Sequence, residues 1–235
     1  MQSVVAVVLA AAVATLGKAT VLWGSGIQTT AGIAFSRLIY NDGVILRSDG
    51  RQLVTGRLGH DKTRKLEKLA RPARNTRSPD PETFVIDNAI DAPVTVIVVG
   101  GPGNAPGLKV FHIVGYNLGQ NADSAARSLA QLPTVLKNVI EYADQIEPVS
   151  LVPWIPSRVV LSSRATTSDP DPESRCEWQA DFPKMVKGSA ASFVVSPIIW
   201  DRLAKLLDRC VTVVVPKPTG RELLEVEMRP VYPGE

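Results

Sequence analysis

The sequence predicts an α+β fold, in which mostly antiparallel sheet made of β-meander plus helix units is covered by helices on one face. β-branched residues cluster in short runs, such as residues 94–99 and 211–215, and such runs favour strands. Turn residues separate other short apolar runs, and apolar residues recur at helical spacing elsewhere. A chain of 235 residues is long enough to bury a core of this kind.

The chain opens with a hydrophobic run. Residues 4–16 are apolar apart from Thr15, which is shorter than the about 20 residues of a membrane-spanning helix. Residues 17–19 end in a small residue, as a signal-peptide cleavage site requires, although no basic residue precedes the run. Residues 1–23 are therefore predicted to be a signal-like or anchor segment, with an ordinary buried element as the alternative. A retained segment would bring membrane association through residues 4–23.

Residues 24–150 are predicted to form the first α+β unit or units. After a Gly/Ser/Thr stretch at 24–32, three strands follow between residues 35 and 58, with turns at residues 41–43 and 48–50 that tolerate positive φ.

The first predicted helix begins at Asp61 as its N-cap and ends before Pro72. Leu66 and Leu69 lie on its apolar side, in line with Leu58. The polar, arginine-rich stretch from residue 71 to 81 is predicted to be a surface loop.

Three further strands are predicted at residues 83–86, 91–101 and 108–116. The Gly/Pro loop at 100–107 connects the last two as a hairpin, since a phosphate-binding loop would lead into a helix. A long helix follows at 124–146, which Pro133 kinks or splits; its predicted apolar face comprises Leu129, Leu132, Leu136, Val139, Ile140 and Ala143.

Residues 151–235 are predicted to form a C-terminal α+β unit packed on the first. An extended crossover leads into a strand, and an exposed loop follows before Cys176. Ser196 as N-cap and Pro197 at the first helical position begin the last helix, and two strands complete the unit.

Catalytic motifs are scarce. The chain has two histidines, of which His60 begins a predicted helix and His112 lies in a strand, facing away from Phe111 and Ile113. Proline between the carboxylates of the two Asp-Pro-Asp-Pro-Glu-like stretches favours solvated loops over a calcium site. The sequence therefore predicts no catalytic residues, no metal site and no cofactor. The alternative is a small hydrolase or ligand-binding enzyme that uses His112 with Tyr116, Ser or Asp.

Two cysteines occur, Cys176 and Cys210, and neither lies in a Cys-x-x-Cys motif. In an oxidising compartment they form a candidate disulfide. Two unrelated buried thiols are the alternative.

One run of basic residues could bind a partner. It runs along the first predicted helix and the loop after it, and between residues 62 and 77 only Glu67 opposes it. Its members are Lys62, Arg64, Lys65, Lys68, Arg71, Arg74 and Arg77. Such a run can meet phosphates, anionic lipid headgroups or an acidic protein, and the alternative is an ordinary solvated helix face. Nucleic acid is not the expected partner, because no aromatic residues interleave the run and the net charge is only +3.

Several short motifs resemble those of a loosely defined group of actinobacterial secreted proteins and lipoproteins of unknown function. They include Asp42-Gly43, Asp91-Ala92-Pro93, Tyr116-Asn117-Leu118-Gly119, and Arg229-Pro230 in the C-terminal segment that ends at Glu235. The resemblance covers the chain from residue 35 to 235 and implies export and a non-enzymatic character. This sequence lacks the lipobox cysteine of lipoproteins near its hydrophobic run.

The sequence thus predicts a non-catalytic, extracytoplasmic interaction domain, secreted or membrane-anchored, with an unknown protein or an anionic surface as partner. An accessory subunit of a membrane complex, held by the N-terminal segment, is the alternative of a different class.

Overall fold

The computed structural model describes most of the chain from residue 20 onward, and structural statements here refer to these ranges: 20–29, 32–49, 52–76, 82–87, 94–100, 108–116, 122–166, 175–185, 188, 190–210, 212–217 and 220–233. Within them lie four helices and 13 strands in two mostly antiparallel sheets, which confirms the predicted α+β class. The chain divides into two compact units. Of the described residues, unit 1 contains those up to Gln28 and those within Phe35–Trp154, and unit 2 contains those within Ile155–Pro233 and Thr29–Ala34.

Sheet A has eight strands in the order β5-β7-β6-β1-β2-β3-β4-β8. Their bounds are β1 (Val21–Thr29), β2 (Gly32–Tyr40), β3 (Val44–Asp49), β4 (Gln52–Arg57), β5 (Glu82–Val85), β6 (Val94–Val99), β7 (Lys109–Val114) and β8 (Leu151–Pro153). The predicted meander of β2, β3 and β4 is confirmed, since each pairs antiparallel with the next. β6 and β7 also pair antiparallel, as a hairpin requires, and most of their connecting loop lies outside the described residues.

Strand β1 differs from the prediction. The prediction places residues 21–23 in the signal-like or anchor segment, with a buried element as the alternative, and assigns no element to the Gly/Ser/Thr stretch at 24–32. In the structure Val21–Thr29 form one strand beside β6. Leu22 and Trp23 are buried in the core of unit 1. Position 24 of this strand favours glycine, because a Cβ atom there would lie 2.6 Å from Leu38 Cδ2 and 2.8 Å from Val98 Cγ2.

Three helices belong to unit 1: α1 (His60–Arg74), α2 (Ala122–Leu129) and α3 (Thr134–Gln145). The predicted long helix is split rather than kinked, with Pro133 preceding α3. All six residues of its predicted apolar face are buried in the core of unit 1. This core also holds sheet residues such as Ile39, Ile45 and Ile97, so the helices cover one face of sheet A.

Both predicted ends of α1 are wrong. Gly59 stands at the N-cap, and Asp61 lies in the first turn instead. The helix also continues through Pro72 to Arg74. Burial of Ala70 and Ala73 in the core of unit 1 stabilises this last turn, and that packing outweighs the lost N–H of proline.

Unit 2 contains sheet B, in the order β10-β12-β13-β9-β11, and helix α4 (Pro197–Arg209). Its strands are β9 (Arg158–Ala165), β10 (Arg175–Glu177), β11 (Ala190–Val194), β12 (Thr212–Lys217) and β13 (Gly220–Pro230). Leu203 of α4 is buried against sheet residues such as Leu161 and Leu224. The predicted cap is confirmed, since the Ser196 hydroxyl accepts a hydrogen bond from the Ile199 backbone N–H at 3.3 Å.

Candidate binding site

Helix α1 carries six of the seven residues of the basic run, and packing fixes which of its sides faces water. Leu66, Ala70 and Ala73 are part of the core of unit 1, and Thr63 beside them is also buried. The Thr63 hydroxyl donates to the Gly59 carbonyl at 3.3 Å. Since residues three or four positions apart share a side of a helix, this buried side directs the rest of α1 outward.

Three of the seven predicted basic residues form one line on the outer side of α1. Arg64, Lys68 and Arg71 follow each other at spacings of four and three residues, and all three are exposed. We call them the α1 cationic stripe. It extends over about 10 Å, from the helical rise of 1.5 Å per residue. Within the described ranges neither Arg64 nor Lys68 has an ion pair, and Arg71 meets Glu67 at 3.6 Å.

Two other members of the run make contacts within unit 1. Lys62 Nζ donates to the Glu147 carbonyl at 2.8 Å, and Lys65 Nζ lies 4.6 Å from the centre of the Tyr142 ring, a cation–π distance. These contacts join α1 to α3 and the chain after it. Lys62 and Lys65 are therefore less available to a partner than the stripe.

The run ends at two residues outside the stripe. Arg74 is half-buried, with its Nε 3.5 Å from Asn75 Oδ1. Arg77 lies outside the described residues.

A second arrangement of charges, around Arg37 of β2, was not predicted. The guanidinium is buried and donates from Nη1 to the carbonyls of Ala143 at 2.5 Å, Asp144 at 3.1 Å and Ile146 at 3.2 Å. Its Nη2 donates to Glu147 Oε1 at 3.0 Å. One arginine thus meets several carbonyls at the end of α3, which lack partners within the helix, and its positive charge faces the negative end of the helix dipole.

The sequence did carry a signal for this arrangement. Arg37 and Ile39 are two residues apart in β2, so they share a face of the sheet, and Ile39 is a core residue. An arginine on the core face of a strand needs a buried partner, but no local pattern identifies that partner more than 100 residues later in the chain.

Two titratable groups near the end of α3 have shifted pKa values. Burial raises the pKa of Asp144 to about 6, although Arg37 acts to lower it. Asp144 is exposed over part of its surface, so the surrounding protein atoms remove only part of the water around its carboxyl group. Burial, and then the charges of Asp144 and Glu141, raise the pKa of Tyr116 to about 12.

The histidines occupy separate places. His60 is the first residue of α1 and is exposed. His112 in β7 is half-buried, whereas its neighbours Phe111 and Ile113 are buried, so it faces away from the core as the alternation predicts. Within the described part of the chain no carboxylate lies within hydrogen-bond distance of the His112 imidazole. The phenol of Tyr116 stays protonated at neutral pH because its pKa is about 12, which does not suit it to act as a base.

Cys176 and Cys210 form a disulfide, with their Cα atoms 5.8 Å apart. It joins β10 to the residue that follows α4. The described residues contain no group of three or more His, Cys, Asp or Glu side chains that could hold a metal ion. Nor is any described helix both long and apolar enough to span a bilayer.

In comparisons with known proteins, no family model, no curated protein and no solved structure matches this chain. The resemblance to actinobacterial secreted proteins and lipoproteins stays a prediction.

Proposed function

We propose that this chain is a non-catalytic interaction domain that works outside the cytoplasm and binds an anionic lipid surface through the α1 cationic stripe. The observation that carries this proposal is the stripe itself: Arg64, Lys68 and Arg71 stand in line on a helix whose opposite side is held in the core. A basic side chain near an anionic membrane surface contributes about 1 kcal/mol.

An anionic surface fits the outer side of α1 better than a protein interface does. Protein interfaces are centred on a few large apolar or aromatic side chains that fill pockets. In the described ranges the exposed large apolar residues all lie outside α1. A stripe of charge without an apolar centre suits diffuse attraction to many headgroups.

The disulfide supports the proposed compartment. Disulfides persist in oxidising environments such as the cell exterior and the periplasm, and the Cys176–Cys210 disulfide fits such a location. The hydrophobic run at residues 4–16 also supports export, because its length is that of the hydrophobic region of a signal peptide. Cleavage after Ala19 would leave β1 whole, because β1 begins at Val21.

Binding to vesicles tests the partner. The full chain is titrated with neutral phosphatidylcholine vesicles and with vesicles that contain anionic phosphatidylglycerol. The difference between the two affinities isolates the electrostatic part and removes any contribution of the N-terminal segment. Replacing all three stripe residues by glutamine should weaken the anionic preference about 100-fold, since about 3 kcal/mol is lost at 1.4 kcal/mol per factor of ten.

A matched control changes the same amount of charge elsewhere. Lys184, Lys205 and Arg209 are exposed basic residues of unit 2, and their joint replacement by glutamine should leave most of the anionic preference intact. Equal losses in the two triple variants would show that only net charge matters and would reject the stripe as the site. No preference for anionic vesicles in the wild-type chain would reject the proposed function.

The compartment has its own test, the intact mass of the native protein with and without reduction and thiol alkylation. A mass that begins near Thr20, with both thiols unreactive until reduced, is the expected result. A mass that retains Met1 together with two free thiols would contradict export.

A further inference from the structure

Among the described strands the two sheets end in four edge strands, and one of these differs from the rest. β5 carries Glu82, β8 ends in Pro153, and β10 carries Arg175 and Glu177. Charges and prolines of this kind protect sheet edges from pairing with another chain. β11 has the sequence Ala-Ala-Ser-Phe-Val and contains neither a charged residue nor a proline. The chain is uncharged throughout residues 188–200.

On the side away from β9, β11 has no partner strand among the described strands, and the backbone groups on that side are placed to pair with another strand. β11 pairs with β9 antiparallel, and just beyond its end the Val195 N–H donates to the Ser157 carbonyl at 2.9 Å. Because the bonding direction alternates along an antiparallel strand, residues 191 and 193 also point toward β9. The N–H and C=O groups of Ala190, Ser192 and Val194 therefore point away from the sheet.

Exposed apolar side chains accompany this edge. Val194 is 80% exposed, and Ile198, four residues later in the first turn of α4, is 71% exposed. The edge thus offers both hydrogen-bonding groups and apolar surface to a strand that would lie beside it.

We propose that β11 is a self-association surface, on which β11 of a second copy of this chain pairs antiparallel about a two-fold axis through Ser192. In that register Ser192 faces Ser192 of the second copy, Ala190 faces Val194, and Ala191 faces Phe193. The pairs at Ser192 and at Ala190 with Val194 each exchange two N–H···O=C hydrogen bonds. Sheet B then continues through β11 into the same sheet of the second copy.

The sequence of β11 favours a second copy over an unrelated strand. About its central Ser192 each large side chain meets an alanine, so the strand is complementary in size to its own reverse. Because β11 is uncharged, two copies also bring no like charges together, as a symmetric interface requires. An unrelated partner strand would need neither property.

Sedimentation equilibrium of the full chain tests this inference, with a reversible monomer–dimer equilibrium as the expected result. Ser192→Pro removes one outward N–H and leaves the bonds between β11 and β9 in place, so it should weaken the dimer while the chain stays folded. Ser192→Lys places two ammonium groups opposite each other and should raise the dimer dissociation constant up to about fivefold, since a directly opposed cross-strand pair contributes at most about 1 kcal/mol. All variants keep the N-terminal segment, so any association through that segment is common to them.

A cysteine crosslink provides the positive test. In the proposed register the two copies of residue 192 have Cα atoms about 5.5 Å apart, which a disulfide can bridge. Ser192→Cys should therefore give a covalent dimer under mild oxidation, and Val149→Cys, at a position that is 92% exposed in unit 1, should give far less. A monomeric wild-type chain would overturn the inference. So would Ser192→Lys and Ser192→Pro variants that dimerise as strongly as the wild type. In either case a strand of another protein would be the remaining candidate partner of β11.

Discussion

Replacing Arg37 by methionine removes the guanidinium at the end of α3 and keeps a side chain of similar length. Two of its bonds, to the carbonyls of Ala143 and Ile146, are buried, and a buried carbonyl left without a partner costs about 1–3 kcal/mol. Methionine needs no desolvation of a charge, which offsets part of this loss. We expect the free energy of unfolding of unit 1 to fall by about 3 kcal/mol.

Hydrogen exchange of α3 peptides at increasing urea concentration is the measurement. It reports on unit 1 directly, whereas a signal from the whole chain would mix two units that need not unfold together. The variant should lose protection in α3 at a clearly lower urea concentration than the wild type.

Arg47 supplies a matched control, because it binds the same carboxylate. Arg47 Nη1 lies 2.8 Å from Glu147 Oε2, with a side chain that is 25% exposed against 10% for Arg37. Arg47→Met should cost less than about 1 kcal/mol, as for other ion pairs near the surface. If Arg37→Met were no more destabilising than Arg47→Met, the contacts with the helix carbonyls would not be what makes Arg37 important.

Two other substitutions test single features. Burial raises the pKa of Asp144 above its ordinary value of 3.8 to about 6, so the folded state favours the protonated carboxyl. The stability that this preference contributes is fully present below about pH 3.8 and is lost as the pH rises through 6. Asp144→Asn should accordingly raise the urea concentration at which α3 peptides lose hydrogen-exchange protection at pH 7.5 and have little effect on it at pH 3.5; equal effects at both pH values would contradict the shift. Ser196→Ala removes the acceptor for the Ile199 N–H and should destabilise unit 2 by about 1 kcal/mol in urea unfolding, whereas Ser196→Asp, which keeps an acceptor, should not.

Sequence patterns predicted features that depend on a few neighbouring residues, such as a turn and a helix cap. The turn at Gly43 was predicted from its sequence, and this glycine has a φ of +84°, which favours a residue without a side chain. Pro133 predicted either a kink or a break before α3, and the helical spacing of apolar residues predicted the buried face of α3. The Ser196 cap followed from the sequence alone in the same way.

Strand β1 and the last turn of α1 were not predicted from the sequence, because both depend on packing against residues distant in the chain. The glycines of β1 disfavour a strand by propensity, yet Gly24 leaves room for Leu38 and Val98. The extent of α1 beyond Pro72 likewise depends on buried alanines.

The candidate site shows the same division. The basic run predicted a cationic helix, but only the buried side of α1 shows which cations form the stripe and which contact Glu147 and Tyr142. The bonds of Arg37 bring together residues that are about 110 positions apart in the chain, and no pattern in a single sequence encodes that contact.

The Cys176–Cys210 disulfide closes a covalent ring that contains β11 and α4. A protease that cuts inside this ring, for example beside the exposed Lys184, leaves both new ends attached to the rest of the molecule. The cut protein would migrate as one piece until a reductant is added. In an oxidising compartment, damage to this part of the chain would therefore not release a fragment, and the survival of the cut protein would depend on the local redox potential.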